Sequence, residues 1–188
     1  MNSPILLLIS YLVGAIPVGY IIARLKGIAD IRKHGSGNIG ATNVSRVLGI
    51  SYFFLIFFID AGKAFACMYV MAPYCSPDYL YLCAALLLFG NGCSIFLRGT
   101  GGKGVATLFG LLAALCSNVV LPLLGAWLIV LALTRTVGIA SVGAVVLLPV
   151  YVFIFFDQSF AFFCLYAACW IVWTHRTNIC AYAKNFSC

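Results

Sequence analysis

The stretch VATLFGLLAALCSNVVLPLLGAWLIVLAL, residues 105–133, decides how this chain is threaded. A helix needs about 20 apolar residues to cross roughly 30 Å of hydrocarbon. This uncharged run is too long for one upright helix and short for two full spans. It suits two short or tilted helices turning near Ser117 and Asn118, or a single re-entrant segment. On either side the hydrophobic pattern predicts five further spans near residues 4–23, 48–72, 79–97, 137–156 and 158–174.

The basic residues choose between the two threadings. Arg24, Lys26, Arg32, Lys33 and Arg46 flank the first long polar loop, Arg98 and Lys103 a later connection, Arg135 another, and Arg176 and Lys184 the tail. The connections near 73–78 and at Asp157 carry no Lys or Arg. If residues 105–133 cross twice, every basic residue except Lys63 falls on one side, as the positive-inside rule prefers. The expected fold is therefore an all-α integral membrane protein, a seven-transmembrane-helix bundle with the N-terminus outside and the C-terminus cytoplasmic. Five helices plus a re-entrant segment is the alternative.

Composition supports a membrane setting throughout. The chain is 64% hydrophobic and only 8% charged, with a mean hydropathy of +1.12, whereas a soluble domain is about 25% charged. Residues 1–188 read as a single integral membrane domain. The net charge of +7 rests on eleven Lys and Arg against four acidic residues. In a membrane chain such a balance points to membrane lipids and anionic lipid substrates rather than to nucleic acid. The nine cysteines lie mostly in apolar runs without metal-like spacing, where a thiol packs as a small hydrophobe, so no metal or redox cofactor is expected.

Three polar segments stand out against this background, and the seven-helix threading brings all three to the cytoplasmic face. The first is HGSGNIGATNVSR, residues 34–46. Its glycines let backbone N–H groups approach an anion, its Ser, Asn and Thr add neutral donors, and Arg46 offers a planar fork suited to phosphate. A loop whose polar residues merely cap the next helix is the alternative.

The second is LRGTGGKGVAT, residues 97–107. Gly99, Gly101 and Gly104 satisfy G-x-G-x-x-G, but a membrane helix precedes them instead of a strand, so a dinucleotide fingerprint is excluded. Leu97 and Gly104 also break the Walker A pattern. What remains is a glycine run with one Lys at the start of a helix, an arrangement that favours a phosphate dianion; a flexible turn with a snorkelling Lys is the alternative.

The third, THRTNI at 174–179, places His175 and Asn178 three residues apart, on one face of a continuing helix. There His175 is either a proton-transfer or phosphate-binding group or an interfacial residue. Asp60 and Lys63 form a possible ion pair inside the second span, either functional or supporting the loops. No G-x-S-x-G elbow or Ser-His-Asp set is present, so covalent acyl-enzyme chemistry is not indicated.

Taken together, GSGNIGATNVSRVLG at 35–49, GGKGVAT at 101–107, HRTNI at 175–179 and the opening SYLVGAIPVGYIIARLKGIADIRKHGSGN resemble the PlsY family of bacterial acyl-phosphate:glycerol-3-phosphate acyltransferases. The resemblance implies a multi-pass protein of the bacterial inner membrane with its site on the cytoplasmic side. The implied reaction transfers an acyl group from acyl phosphate to the 1-hydroxyl of glycerol-3-phosphate. Its products are 1-acylglycerol-3-phosphate and inorganic phosphate, in the first step of phospholipid synthesis. No cofactor or metal is implied, and an upstream enzyme producing acyl phosphate is a possible partner.

By the same match Ser36, Arg46, His175 and Asn178 are expected to be catalytic. Gly37, Asn38, Thr42, Asn43, Gly101, Gly102, Lys103, Gly104, Thr107 and Ser141 are expected to bind substrate. The substrate's own phosphate is expected to help remove the hydroxyl proton, with His175 mainly a hydrogen-bond donor. Three departures from the family pattern stand out: Asn91 where a His is usual, Ala64 in place of a Gly after Lys63, and a short tail, CAYAKNFSC, without Glu. The competing class is a small membrane transporter for a phosphorylated solute. It would need a polar path through the bilayer, which the spans offer only at Asp60 and Lys63.

Overall fold

In the computed structural model, residues 3–184 are described, and they fall into two compact units, Met1–Leu115 and Cys116–Cys188. Residues 185–188 of the short tail lie outside the described residues.

The first unit opens with α1 (Pro4–Ala15) and α2 (Val18–Leu25), two helices of one apolar segment broken at Ile16–Pro17. Pro17 has no N–H to continue the ladder, so the last carbonyls of α1 lose their partners. Distant side chains supply them. Lys63 Nζ donates to the carbonyls of Gly14 at 3.2 Å and Ile16 at 2.8 Å, and Ser94 Oγ donates to that of Ala15. The same ammonium sits 2.7 Å from Asp60 Oδ1. The intramembrane pair thus caps a broken helix, which is the supporting role among the two the sequence left open.

After a loop come α3 (Ala41–Leu48), α4 (Ser51–Met71), α5 (Pro77–Gly92) and α6 (Val105–Leu115). In this unit α1 packs along α5, and α6 along α4. Two boundaries differ from expectation. The polar stretch read as loop holds the amphipathic helix α3, whose Val44 is buried while Arg46 faces out. The third span ends at Gly92 rather than 97, because Ser94 turns the chain toward Ala15 and Ile95–Leu97 forms a separate 3-10 turn.

The second unit contains a 3-10 turn at Ser117–Val119, then α7 (Val120–Thr134), α8 (Val137–Phe155), α9 (Gln158–Thr174) and α10 (Arg176–Lys184). The run 105–133 therefore makes two helices that break at the residues expected. Arg135, at φ 51°, closes α7 in the left-handed region, and Asp157 caps α9 by accepting from Phe160 N–H at 2.8 Å. Helix α8 packs against both α7 and α9.

Among the described residues, four segments are long and apolar enough to cross a membrane: Pro4–Leu25, Ser51–Tyr74, Ser117–Thr134 and Val137–Phe155. Helices α5, α6 and α9 are shorter. At 1.5 Å per residue α6 reaches only about 16 Å.

Candidate active site

In the first unit the loop after α2 is pinned by buried apolar anchors before any polar group is placed. Ile31 and Ile39, at its two ends, pack with Val18, Ala23, Val44, Ile56 and Leu97. A Cβ on Gly19 would strike the carbonyl of Ile39, so α2 and the loop are in backbone contact there.

Asp30 caps the 3-10 turn Ile31–Lys33 and takes a forked contact from Arg32, with Nε 2.9 Å from Oδ1 and Nη2 2.8 Å from Oδ2. These bonds hold the Asp30 carboxyl down at about 2. The pairing is therefore complete above the ordinary carboxylate value and lost only as pH falls through about 2. Arg32 Nη1 also donates to Thr100 Oγ1 at 3.1 Å. That bond joins the first polar segment to the second across 68 residues of sequence.

Asn43 is the internal scaffold of the first segment. Its Nδ2 donates to the carbonyls of His34 at 3.0 Å and Asn38 at 2.8 Å, and its Oδ1 accepts from Ser36 N–H at 2.7 Å. The sequence placed Asn43 among the substrate-binding residues. The structure buries it and commits both amide donors to the loop backbone, so it shapes the site instead of facing it. Asn38 Oδ1 accepts from Gly40 N–H at 2.7 Å, closing an Asx turn beside Gly37. This leaves the Ser36 hydroxyl and the Arg46 guanidinium exposed, with no hydrogen-bond partner among the described residues, and the Thr42 hydroxyl half-buried on the first turn of α3. Replacing Asn43 with Ala removes three bonds from one loop. We expect a loss of about 2–3 kcal/mol, at roughly 1 kcal/mol per bond, read as a lower midpoint of thermal unfolding together with lost activity.

The second segment lies on the C-terminal end of α5. Gly102 N–H donates to the Asn91 carbonyl at 2.8 Å, and Gly99 N–H to that of Ser94 at 2.8 Å. A Cβ on Gly101 would fall on the Asn91 carbonyl and the Gly92 backbone, neither of which can swing away. The glycines thus serve close packing onto α5 as well as approach by a ligand, a second reason the sequence did not reveal. Gly101→Ala is expected to lift the loop from α5 and lower activity by about 100-fold while most of the fold survives. Gly102→Ala, which meets only the Asn91 side chain at 3.0 Å, should cost less, and steady-state rates of the two variants check the order. Lys103 is half-buried between Gly102 and Gly104, and Thr107 sits on the first turn of α6 with only 1% of its surface exposed.

In the second unit His175 ends α9 and is 3% exposed. Its Nδ1 is 2.8 Å from the Ile171 carbonyl. A carbonyl can only accept, so Nδ1 carries the proton. Asn178 lies one turn on, its N–H donating to the His175 carbonyl at 2.8 Å. The space for its carboxamide depends on Gly138 in α8, where a Cβ would sit 2.6 Å from Asn178 Nδ2.

Ser141, also expected to bind substrate, is buried in α8. Its hydroxyl donates to the Val137 carbonyl at 2.9 Å and accepts from Trp127 Nε1 at 3.2 Å, so in this structure both functions are internal. Arg176 stacks 4.6 Å over Trp173 and donates to its carbonyl at 3.0 Å.

The profile of the family described as glycerol-3-phosphate acyltransferase matches residues 4–185. The chain belongs to the glycerol-3-phosphate acyltransferase family. Among curated family members, one from Prochlorococcus marinus (strain MIT 9312) is 36% identical over 96% of this chain and 94% of its own length. One from Thermosynechococcus vestitus is 40% identical over 93% of this chain and 89% of its own length.

The fold resembles the crystal structure of PlsY, an integral membrane glycerol 3-phosphate acyltransferase, in its glycerol 3-phosphate form. The TM-score is 0.91 with 33% identity, covering 96% of this chain and 92% of that one. The lysophosphatidic acid form of PlsY gives 0.89 with 32% identity, covering 96% and 91%. The acyltransferase expected from the motifs is borne out, as is an all-helical, multi-pass membrane protein. Among the described residues no group of three or more His, Cys, Asp and Glu side chains could hold a metal ion.

Proposed function

We propose that this acyltransferase takes its acyl group from acyl phosphate and delivers it to the 1-hydroxyl of glycerol-3-phosphate, as one inner-membrane domain of residues 1–188. The first step of phospholipid synthesis then takes place at the cytoplasmic face, with an acyl-phosphate-producing enzyme upstream. Seven crossings with the N-terminus outside would keep every basic loop on that face.

The observation that carries this reading is the bond from Arg32 to Thr100. It draws together two glycine-rich loops that offer Ser36, Arg46, Lys103 and backbone N–H groups, and no side chain built as an activated nucleophile. Such an inventory suits two phosphorylated substrates and direct transfer, working by positioning and charge stabilisation. The hydroxyl oxygen attacks the acyl carbonyl, the bond from that carbon to the phosphate oxygen breaks, and inorganic phosphate leaves. Ser36 and Arg46 steady the acyl phosphate, while Gly101, Gly102, Lys103, Gly104 and Thr107 hold glycerol-3-phosphate. Asn178 orients a substrate oxygen, and Nε2 of His175 accepts the hydroxyl proton, in place of the substrate-phosphate route expected from the sequence.

Purified protein given a synthetic acyl phosphate and labelled glycerol-3-phosphate should produce lysophosphatidic acid. A folded sample that makes none at saturating substrate would overturn the reading. A transporter is not favoured, because Lys63, the cation inside the Ser51–Tyr74 span, is committed to Asp60 and the end of α1.

A further inference from the structure

We propose that the Asn91 carboxamide is a binding residue for the substrate phosphate, donating from Nδ2 to a phosphate oxygen seated on the Gly101–Gly104 loop. This deepens, and rests on, the reading of that loop as the glycerol-3-phosphate site.

Asn91 occupies the last turn of α5 and is 7% exposed. Its main-chain carbonyl already holds the loop through Gly102 N–H at 2.8 Å. Its side chain lies against the same two glycines. The Cβ position of Gly102 is 3.0 Å from Oδ1 and 3.6 Å from Nδ2, and that of Gly104 is 3.9 Å from Oδ1. Yet the carboxamide makes no hydrogen bond to any described residue. An amide on so enclosed a residue, uncommitted to any described protein group, is open to an acceptor that a ligand brings.

The loop's other surroundings point to an anion. The first N–H groups of α6 have no intrahelical acceptors, Lys103 brings an ammonium, and the buried Thr107 hydroxyl has no hydrogen-bond partner among the described residues. Phosphate can only accept, so Asn91 would contribute its amide hydrogens. The packing that excludes a Cβ at Gly101 also fixes the loop over α5, which keeps the carboxamide in register with it. Asp in place of Asn has the same shape but offers a negative charge and no donor.

The test measures KM for glycerol-3-phosphate, KM for acyl phosphate and kcat on full-length Asn91→Asp, Asn91→Ala and Lys103→Ala enzymes in one membrane mimetic. Thermal unfolding and direct binding of glycerol-3-phosphate by calorimetry are measured alongside. Asn91→Asp should raise KM and Kd for glycerol-3-phosphate on the order of 10- to 100-fold, the worth of a lost hydrogen bond to a charged group plus repulsion. KM for acyl phosphate should stay within about 3-fold, and Asn91→Ala should fall between wild type and Asp. The proposal is overturned if Lys103→Ala weakens glycerol-3-phosphate while Asn91→Asp does not. A lower unfolding midpoint with both KM values unchanged, or moved equally, also overturns it by making Asn91 structural. If Lys103→Ala leaves the affinity for glycerol-3-phosphate intact, the loop reading itself fails, whatever Asn91 does.

Discussion

Replacing His175 with Gln is expected to lower kcat by about 10²- to 10⁴-fold, the usual range for a lost general base, with little change in KM for either substrate. Gln is chosen because it is close to His in length and keeps a neutral amide able to hydrogen-bond, so the last turn of α9 should survive. What Gln lacks is a ring nitrogen able to take a proton near neutral pH. Single-turnover rates with bound substrates separate the chemical step from binding. Retention of more than about a tenth of wild-type turnover would move the proton to the substrate's own phosphate. It would leave His175 as a hydrogen-bonding group.

His175 also shows where sequence reasoning stops. The residue was legible because a His beside Asn178 at the end of an apolar run is unusual, but its protonated nitrogen was not, since that follows from a backbone carbonyl four residues back. The break of 105–133 at Ser117 was legible for a related reason: polar Ser and Asn inside an uncharged apolar run mark a turn whatever packs around them.

Helix α5 is the opposite case. Its apolar pattern resumes at Ile95, Phe96 and Leu97, which carried the expected span past the local stop signal of Gly90, Asn91 and Gly92. The stop comes from Ser94 bonding the carbonyl of Ala15, a partner 79 residues away. Asn43 and Ser141 were picked out as polar residues in polar or functional company. Both turn inward, because loops and membrane helices need their own donors and acceptors satisfied before any substrate arrives. Asn91 was visible only as a departure from the family pattern, and its place beneath Gly102 and Gly104 belongs to the fold.

The largest stability effect is expected at Lys63. Lys63→Met keeps an unbranched stem of similar volume but removes the ammonium. Asp60 is then a buried carboxylate with no counter-charge, and the Gly14 carbonyl loses its side-chain donor inside a span where water cannot replace it. Breaking one partner of a buried pair costs about 3–5 kcal/mol, a large share of the roughly 5–15 kcal/mol that holds an ordinary fold.

Asp60→Asn should be milder, because Asn keeps an acceptor for the Lys63 ammonium, which still donates to Gly14 and Ile16. The double variant Asp60→Asn with Lys63→Met removes both charges and leaves only the uncapped α1 terminus. It should therefore be more stable than Lys63→Met alone by about 1–3 kcal/mol. Unfolding midpoints in one detergent supply all four corners of the cycle, and strict additivity would show that the two charges do not support each other. The effect should extend to function, because the break that Lys63 caps sets the course of α2, and Gly19 of α2 carries the Ile39 carbonyl of the first loop. Any folded Lys63→Met protein should accordingly bind its phosphorylated substrates more weakly, although Lys63 touches neither of them in the proposed reaction.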